Sequence, residues 1–120
     1  MKELTLWVDD LRNPWKLGMD KHTTLWVLDY YQAISMLNVN QEFSVIHLDN
    51  DLGEKSPQGK AVFDHIEFML FENKLPNLKC IFIHSDNASA VRSMLSAKDL
   101  FQEKYGVEVK QKMISPSQYK

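Results

Sequence analysis

Ser44-Val45-Ile46-His47-Leu48-Asp49-Asn50-Asp51-Leu52-Gly53 is an apolar run that stops abruptly in two carboxylates and a glycine. Aliphatic residues in near-continuous sequence suit a strand covered on both faces, the habit of parallel sheets. In open α/β sheets, ligands collect beyond the carboxyl ends of such strands, so the charge at 49–51 marks where chemistry would sit. Two other runs end in the same manner. Leu4-Thr5-Leu6-Trp7-Val8 leads into Asp9-Asp10, and Cys80-Ile81-Phe82-Ile83 leads into His84-Ser85-Asp86-Asn87.

The intervening sequence supplies the connections. Pro14 and Gly18 interrupt any long helix, so residues 11–23 are expected to form an ordered loop with at most a helical turn. Thr24-Leu25-Trp26-Val27-Leu28 reads as another strand. From Tyr30 the period becomes helical, through Ala33, Ile34 and Leu37, with Asp29 placed to cap. After a polar loop at 54–59, Val62, Phe63, Ile66, Met69 and Leu70 mark an amphipathic helix that stops near Asn73. Asp86 or Asn87 caps a further helix carrying Val91, Met94, Leu95 and Phe101, which Gly106 ends. Val107-Glu108-Val109 begins a last strand.

Strands alternating with helices predict a three-layer, doubly wound α/β domain with five parallel strands in the order 2-1-3-4-5, its first crossover helix reduced to a loop. That order sets the first, third and fourth strands side by side, about 4.8 Å apart, and gathers the three polar ends.

Composition narrows the function. The 120 residues suffice for one domain, 1–120, with a core that needs no disulfide. A formal charge of −2 offers no basic field for bulk DNA, but leaves a phosphate-containing small molecule or an RNA end as ligand. The lone Cys80, inside an apolar strand, reads as a packed thiol. The N-terminus lacks a secretory layout, and no apolar run approaches the roughly 20 residues of a membrane helix, so a cytoplasmic protein without a membrane partner is expected.

Clustered aspartates repel one another unless a cation or water intervenes. Mg²⁺ or Mn²⁺ suits them, taking one or two hard carboxylate ligands and leaving positions for a phosphate. Asp9, Asp10, Asp49 and Asp51 are the candidate metal ligands; the plainer reading is helix capping and solvated loop charge. His84 stands where a strand hands over to a helix and is the candidate for proton transfer. Ser85 and Asn87, with the backbone N–H groups after His84, form a candidate anion cradle. Arg12 is spaced to fold back on a phosphate, or else to neutralise Asp10. Trp15 is placed to stack on a ligand, whereas Trp7 and Trp26 read as core. Asn50 is counted with the ligand-binding residues. His47 reads as a satisfied core histidine, and His22 and His65 as surface or helix positions.

Leu6-Trp7-Val8-Asp9-Asp10-Leu11-Arg12-Asn13-Pro14, Leu48-Asp49-Asn50-Asp51-Leu52-Gly53 and His84-Ser85-Asp86-Asn87, followed by Met94, together resemble the cyclic-phosphate-processing receiver-like family. That family carries an Asp-Asp-x-Arg-x-Pro motif, an Asp-His-Asp-Leu-Gly motif and a His-Ser-x-Asn motif followed by a methionine. Three differences stand out: Asn50 replaces the histidine, Gln58-Gly59 replaces Thr-Gly, and Ala90 replaces a glycine. The lysine of ordinary receivers after the fifth strand has no clear counterpart. The resemblance implies a receiver/flavodoxin-like fold and a metal-dependent phosphoesterase-like activity on cyclic or terminal phosphates of nucleotides or RNA, with His84, Asp51 and Arg12 as catalytic residues. The alternative is a catalytically degenerate module that binds a nucleotide or a protein partner.

Overall fold

The computed structural model describes residues 3–112. Five strands, β1 (Thr5–Val8), β2 (Thr24–Val27), β3 (Val45–Asp49), β4 (Cys80–His84) and β5 (Glu108–Gln111), form one parallel sheet in the order β2-β1-β3-β4-β5. The expected topology is the one observed, a receiver/flavodoxin-like sheet flanked by helices α1 (Tyr30–Val39), α2 (Gly59–Phe71), α3 (Ala88–Leu95) and α4 (Lys98–Tyr105).

Strand alternation divides the sheet into two unlike faces. Leu6, Val8, Ile46, Leu48, Ile81, Ile83 and Val109 face one side and pack with Leu37, Phe63, Ile66, Met94 and Phe101 from the helices in one apolar core. The other face carries Trp26, Trp7, His47 and Phe82, which lie in register across four strands. Here the first crossover provides cover. As the sequence predicts, it contains a single 3₁₀ turn, Pro14–Leu17, capped by Asn13 and closed by Gly18 at φ +92°. Proline at the start and glycine at the stop permit no more. Trp15 from this turn meets the edge of Trp26, with ring centroids 5.5 Å apart.

Local signals explain the helix boundaries. Asp29 caps α1 by accepting from Gln32 N at 2.9 Å, and Asn87 caps α3 by accepting from Ala90 N at 3.0 Å. The long helix expected up to Gly106 is two, because the chain breaks at Ser96-Ala97 and restarts so that Phe101 can stack on Phe63. α2 stops at Phe71, and Asn73 takes a left-handed conformation at φ +63°. Its first residue must be glycine. A side chain at Gly59 would overlap the Asp49 carbonyl and the Asn50 Cα, so the absence of a Cβ is what lets α2 abut the end of β3.

Candidate functional site

Beyond the C-terminal ends of β1, β3 and β4 lies an open cleft of about 550 Å³, lined by Asp10, Arg12, Asp49, Asn50, Asp51, Ser85, Asp86 and Asn87, among others. The topology makes it, since Val8, Leu48 and Ile83 are in register and the residues that follow them leave the sheet together.

Asp9 is buried and holds the exit from β1. Its Oδ1 accepts from the backbone N–H groups of Leu11 and Arg12, each at 2.9 Å, and this bends the chain back over the sheet. The bend delivers the Arg12 guanidinium into the site. Arg12 Nη1 lies 3.2 Å from Asp9 Oδ2 and 3.4 Å from Asp49 Oδ2, and Nη2 lies 3.7 Å from Asp86. Arg12 thus ties three strand ends together, rather than neutralising Asp10 alone.

Asp9, Asp10 and Asp49 each present an oxygen within 4.8 Å of the others. Burial, reinforced by the charge of Asp9, raises the Asp49 pKa to about 7 in spite of Arg12. Asp10 is raised by the same two causes and further by Asp51. Three carboxylates outnumber the one guanidinium that pairs with them, and the donors are all hard oxygen. This set fits a divalent cation of the Mg²⁺ or Mn²⁺ kind. Asp51 lines the cleft but lies outside the trio. β3 ends at Asp49, and the backbone N–H of Asp51 donates to the Asp49 carboxylate, so the extended backbone that would carry both side chains to one side does not reach Asp51.

Three neutral residues of the lining, set among these carboxylates, share one polarity. Asn50 Oδ1 accepts from Lys60 N at 3.0 Å, Ser85 Oγ from Asn87 N at 3.0 Å, and Asn87 Oδ1 from Ala90 N at 3.0 Å. Each acceptor is engaged by backbone, which leaves the N–H or O–H end for the cleft. Gln58 is different, with both ends used: it accepts from Leu52 N and donates to the carbonyls of Gly53 and Ser56, bracing the loop.

Two expected site residues lie elsewhere. Trp15 packs on Trp26 and is not among the cleft residues. His84 is buried under the sheet end, stacked on His47 at 4.8 Å and tilted against Trp7 at 4.9 Å between centroids. Its Nδ1 bonds the Lys112 carbonyl and its Nε2 bonds His47 Nδ1, so both ring nitrogens are turned away from a ligand. Burial lowers the pKa of His84 to about 4 and that of His47 to about 3. His47 is a satisfied interior histidine, as its flanking residues indicate. This layer still bears on the cleft, because Trp7 Nε1 donates to the Arg12 carbonyl at 3.0 Å.

Sequence reasoning treated Asp86 only as a cap and overlooked the brace by Gln58. It also missed the ring stack, although the signal was present: Trp7, His47, Phe82 and His84 fall on one side of three strands by simple alternation. Lys112, just past β5, sets its ammonium 5.8 Å from the Phe82 ring centroid, and no lysine among the described residues lines the cleft. No helix among the described residues is long and apolar enough to cross a membrane.

Comparison with known proteins agrees with this geometry. No curated protein and no solved structure matches the chain significantly. The family model described as the cyclic-phosphate processing receiver domain, however, matches residues 4–100, a span that contains every strand end at the cleft. With that match and a 2-1-3-4-5 parallel sheet bearing its polar residues at the expected strand ends, the chain belongs to the cyclic-phosphate processing receiver domain family.

Proposed function

We propose that the domain is a metal-dependent phosphoesterase acting on cyclic or terminal phosphates of nucleotides or RNA, in the cytoplasm. One observation carries the reading: a single cleft is lined both by Asp10 and Asp49, two of the three clustered carboxylates, and by Asn50, Ser85 and Asn87, whose acceptor atoms are already engaged by backbone N–H groups. A phosphoryl group with a divalent cation satisfies both sets of groups at once. Asp10 and Asp49, with Asp9 beside them, are the ligands to Mg²⁺ or Mn²⁺, and Asp51, which lines the same cleft, would position a water. The cation, when bound, supplies Lewis-acid polarisation of a phosphoryl oxygen. Arg12 keeps the strand ends in place and lends positive charge to the phosphate side.

The test is incubation with 2′,3′-cyclic nucleotides and RNA carrying a cyclic-phosphate end, with and without Mg²⁺. Metal-dependent ring opening that is lost in Asp10→Asn supports the proposal. Absence of both turnover and binding across the panel overturns it.

A second reading, a binding module without turnover, is favoured by one specific feature. Both His84 nitrogens are engaged in the interior and Asn50 stands beside the carboxylates, so no imidazole lines the cleft. Retention of a nucleotide or a protein partner without product would establish that reading.

A further inference from the structure

We propose that Asn50 is a ligand-binding residue whose side-chain NH₂ donates to a phosphoryl oxygen, held in that polarity by the start of α2. This rests on the phosphoryl-binding reading above and adds to it a particular, non-titrating contact.

Three observations support it. Asn50 is 6% exposed, yet it lines the cleft. Its amide has only one orientation compatible with its surroundings, because a backbone N–H, that of Lys60, occupies the oxygen at 3.0 Å. The Nδ2 finds no partner among the described residues. A buried amide with one end satisfied and the other open to a polar cleft is primed to take an acceptor. The backbone fixes its position from a second direction, since Gly59 N donates to the Asn50 carbonyl at 2.7 Å and Gly59 has no side chain to push the helix away.

Ser85 repeats the arrangement on the neighbouring strand end. It is 7% exposed, its Oγ accepts from Asn87 N, and its own hydrogen is left over. Asn50 and Ser85 therefore form a pair of neutral donors, one just past β3 and one just past β4, in the same cleft as the acceptor-only carboxylates. A ligand that fills the space needs acceptor oxygens for these donors and a shared cation for the carboxylates. Unlike an imidazole, neither donor changes charge between pH 5 and 9.

Asn50→Asp separates this role from a structural one. The carboxylate retains an oxygen for Lys60 N, at a helix start where negative charge is favourable, so the fold is kept while the donor is lost. Binding of inorganic phosphate, with Mg²⁺ present and absent, is measured by calorimetry, and the Asn50 side-chain NH₂ resonances are followed by ¹⁵N NMR. The expected result is saturable phosphate binding by the wild type that moves those resonances, at least tenfold weaker binding by Asn50→Asp, and a melting temperature unchanged within 2–3 degrees. Phosphate affinity in Asn50→Asp equal to wild type, or NH₂ resonances that stay in place at saturation, overturns the inference and leaves phosphoryl binding standing. A wild type that binds no phosphate under either condition overturns the phosphoryl-binding reading itself.

Discussion

His84 and His47 share one hydrogen bond, and its direction is fixed by what lies beyond it. The Lys112 carbonyl can only accept, so His84 Nδ1 carries a hydrogen and its Nε2 is the bare nitrogen; His47 Nδ1 must then donate to it. Both rings are neutral and buried, His47 between Trp7 and Phe82 and His84 against Trp7 and His47, and they are arranged as a relay from the end of β5 to the centre of the sheet.

That arrangement sets the response to acid. Unfolded, each imidazole takes a proton near 6.5; folded, His84 resists until about 4 and His47 until about 3. From pH 6.5 down to about 4 the unfolded chain holds two extra protons, which lowers stability by about 1.4 kcal/mol per pH unit for each histidine. Asp49 opposes this. Its pKa rises from 3.8 to about 7 on folding, so over the same window the folded chain holds a proton that the unfolded chain lacks. In metal-free buffer the net loss is about one proton's worth, and Asp49→Asn should roughly double the slope. Urea midpoints at pH 6.5, 5.5 and 4.5 check this. A variant slope equal to or shallower than wild type would show that Asp49 does not hold its proton into the neutral range.

A second expectation concerns His84 as support for the site. Truncation in His84→Ala opens space beneath Trp7 and leaves the His47 N–H and the Lys112 carbonyl without their partner. Large-to-small changes and orphaned polar groups of this sort together cost about 2–4 kcal/mol. Denaturant unfolding should show that loss, and tryptophan emission should shift, because Trp7 packs against the deleted ring. A variant with full stability and unchanged emission that nonetheless loses turnover would return His84 to the role of proton donor to the ligand.

The reach of the sequence differs between fold and site for a physical reason. The strands from Leu6, Ile46 and Ile81 were legible because continuous apolar runs ending in charge have few other uses, and the caps at Asp29 and Asn87 act through the adjacent turn alone. Ligand-facing geometry depends on where chains bend. Asp49 and Asp51 look equivalent two residues apart, but the strand stops between them, and only Asp49 joins Asp9 and Asp10. His84 looks exposed at a strand end, yet its pairing with His47 is a contact across 37 residues that spacing does not reveal. Arg12 likewise gains its second and third carboxylates only when β3 and β4 are laid beside β1.

The carboxylate trio leads to the last prediction, which separates ligands by how much structural work each already does. Asp9 is committed to two backbone N–H groups and Arg12, so Asp9→Asn should keep the turn through its amide oxygen while losing the ion pair and part of the fold's stability. Asp10 is exposed at the cleft rim and supports little else, and its raised pKa reports burial and repulsion that a cation would relieve. Asp10→Asn should therefore leave the metal-free melting temperature unchanged or slightly raised, and weaken Mg²⁺ by at least tenfold. Asp51→Asn, outside the trio, should weaken it by only a few-fold. Binding to the folded state stabilises by RT ln(1 + [Mg²⁺]/Kd), so at a concentration a hundred times Kd the wild type gains about 2.7 kcal/mol and the Asp10 variant about 1.4 kcal/mol. Thermal melts across a Mg²⁺ series for the three variants supply the comparison. Equal shifts in wild type and Asp10→Asn would mean that the cation, if it binds, does so away from these three carboxylates. A larger loss for Asp51→Asn than for Asp10→Asn would place the metal at the rim of the β3 turn, beyond Asp49.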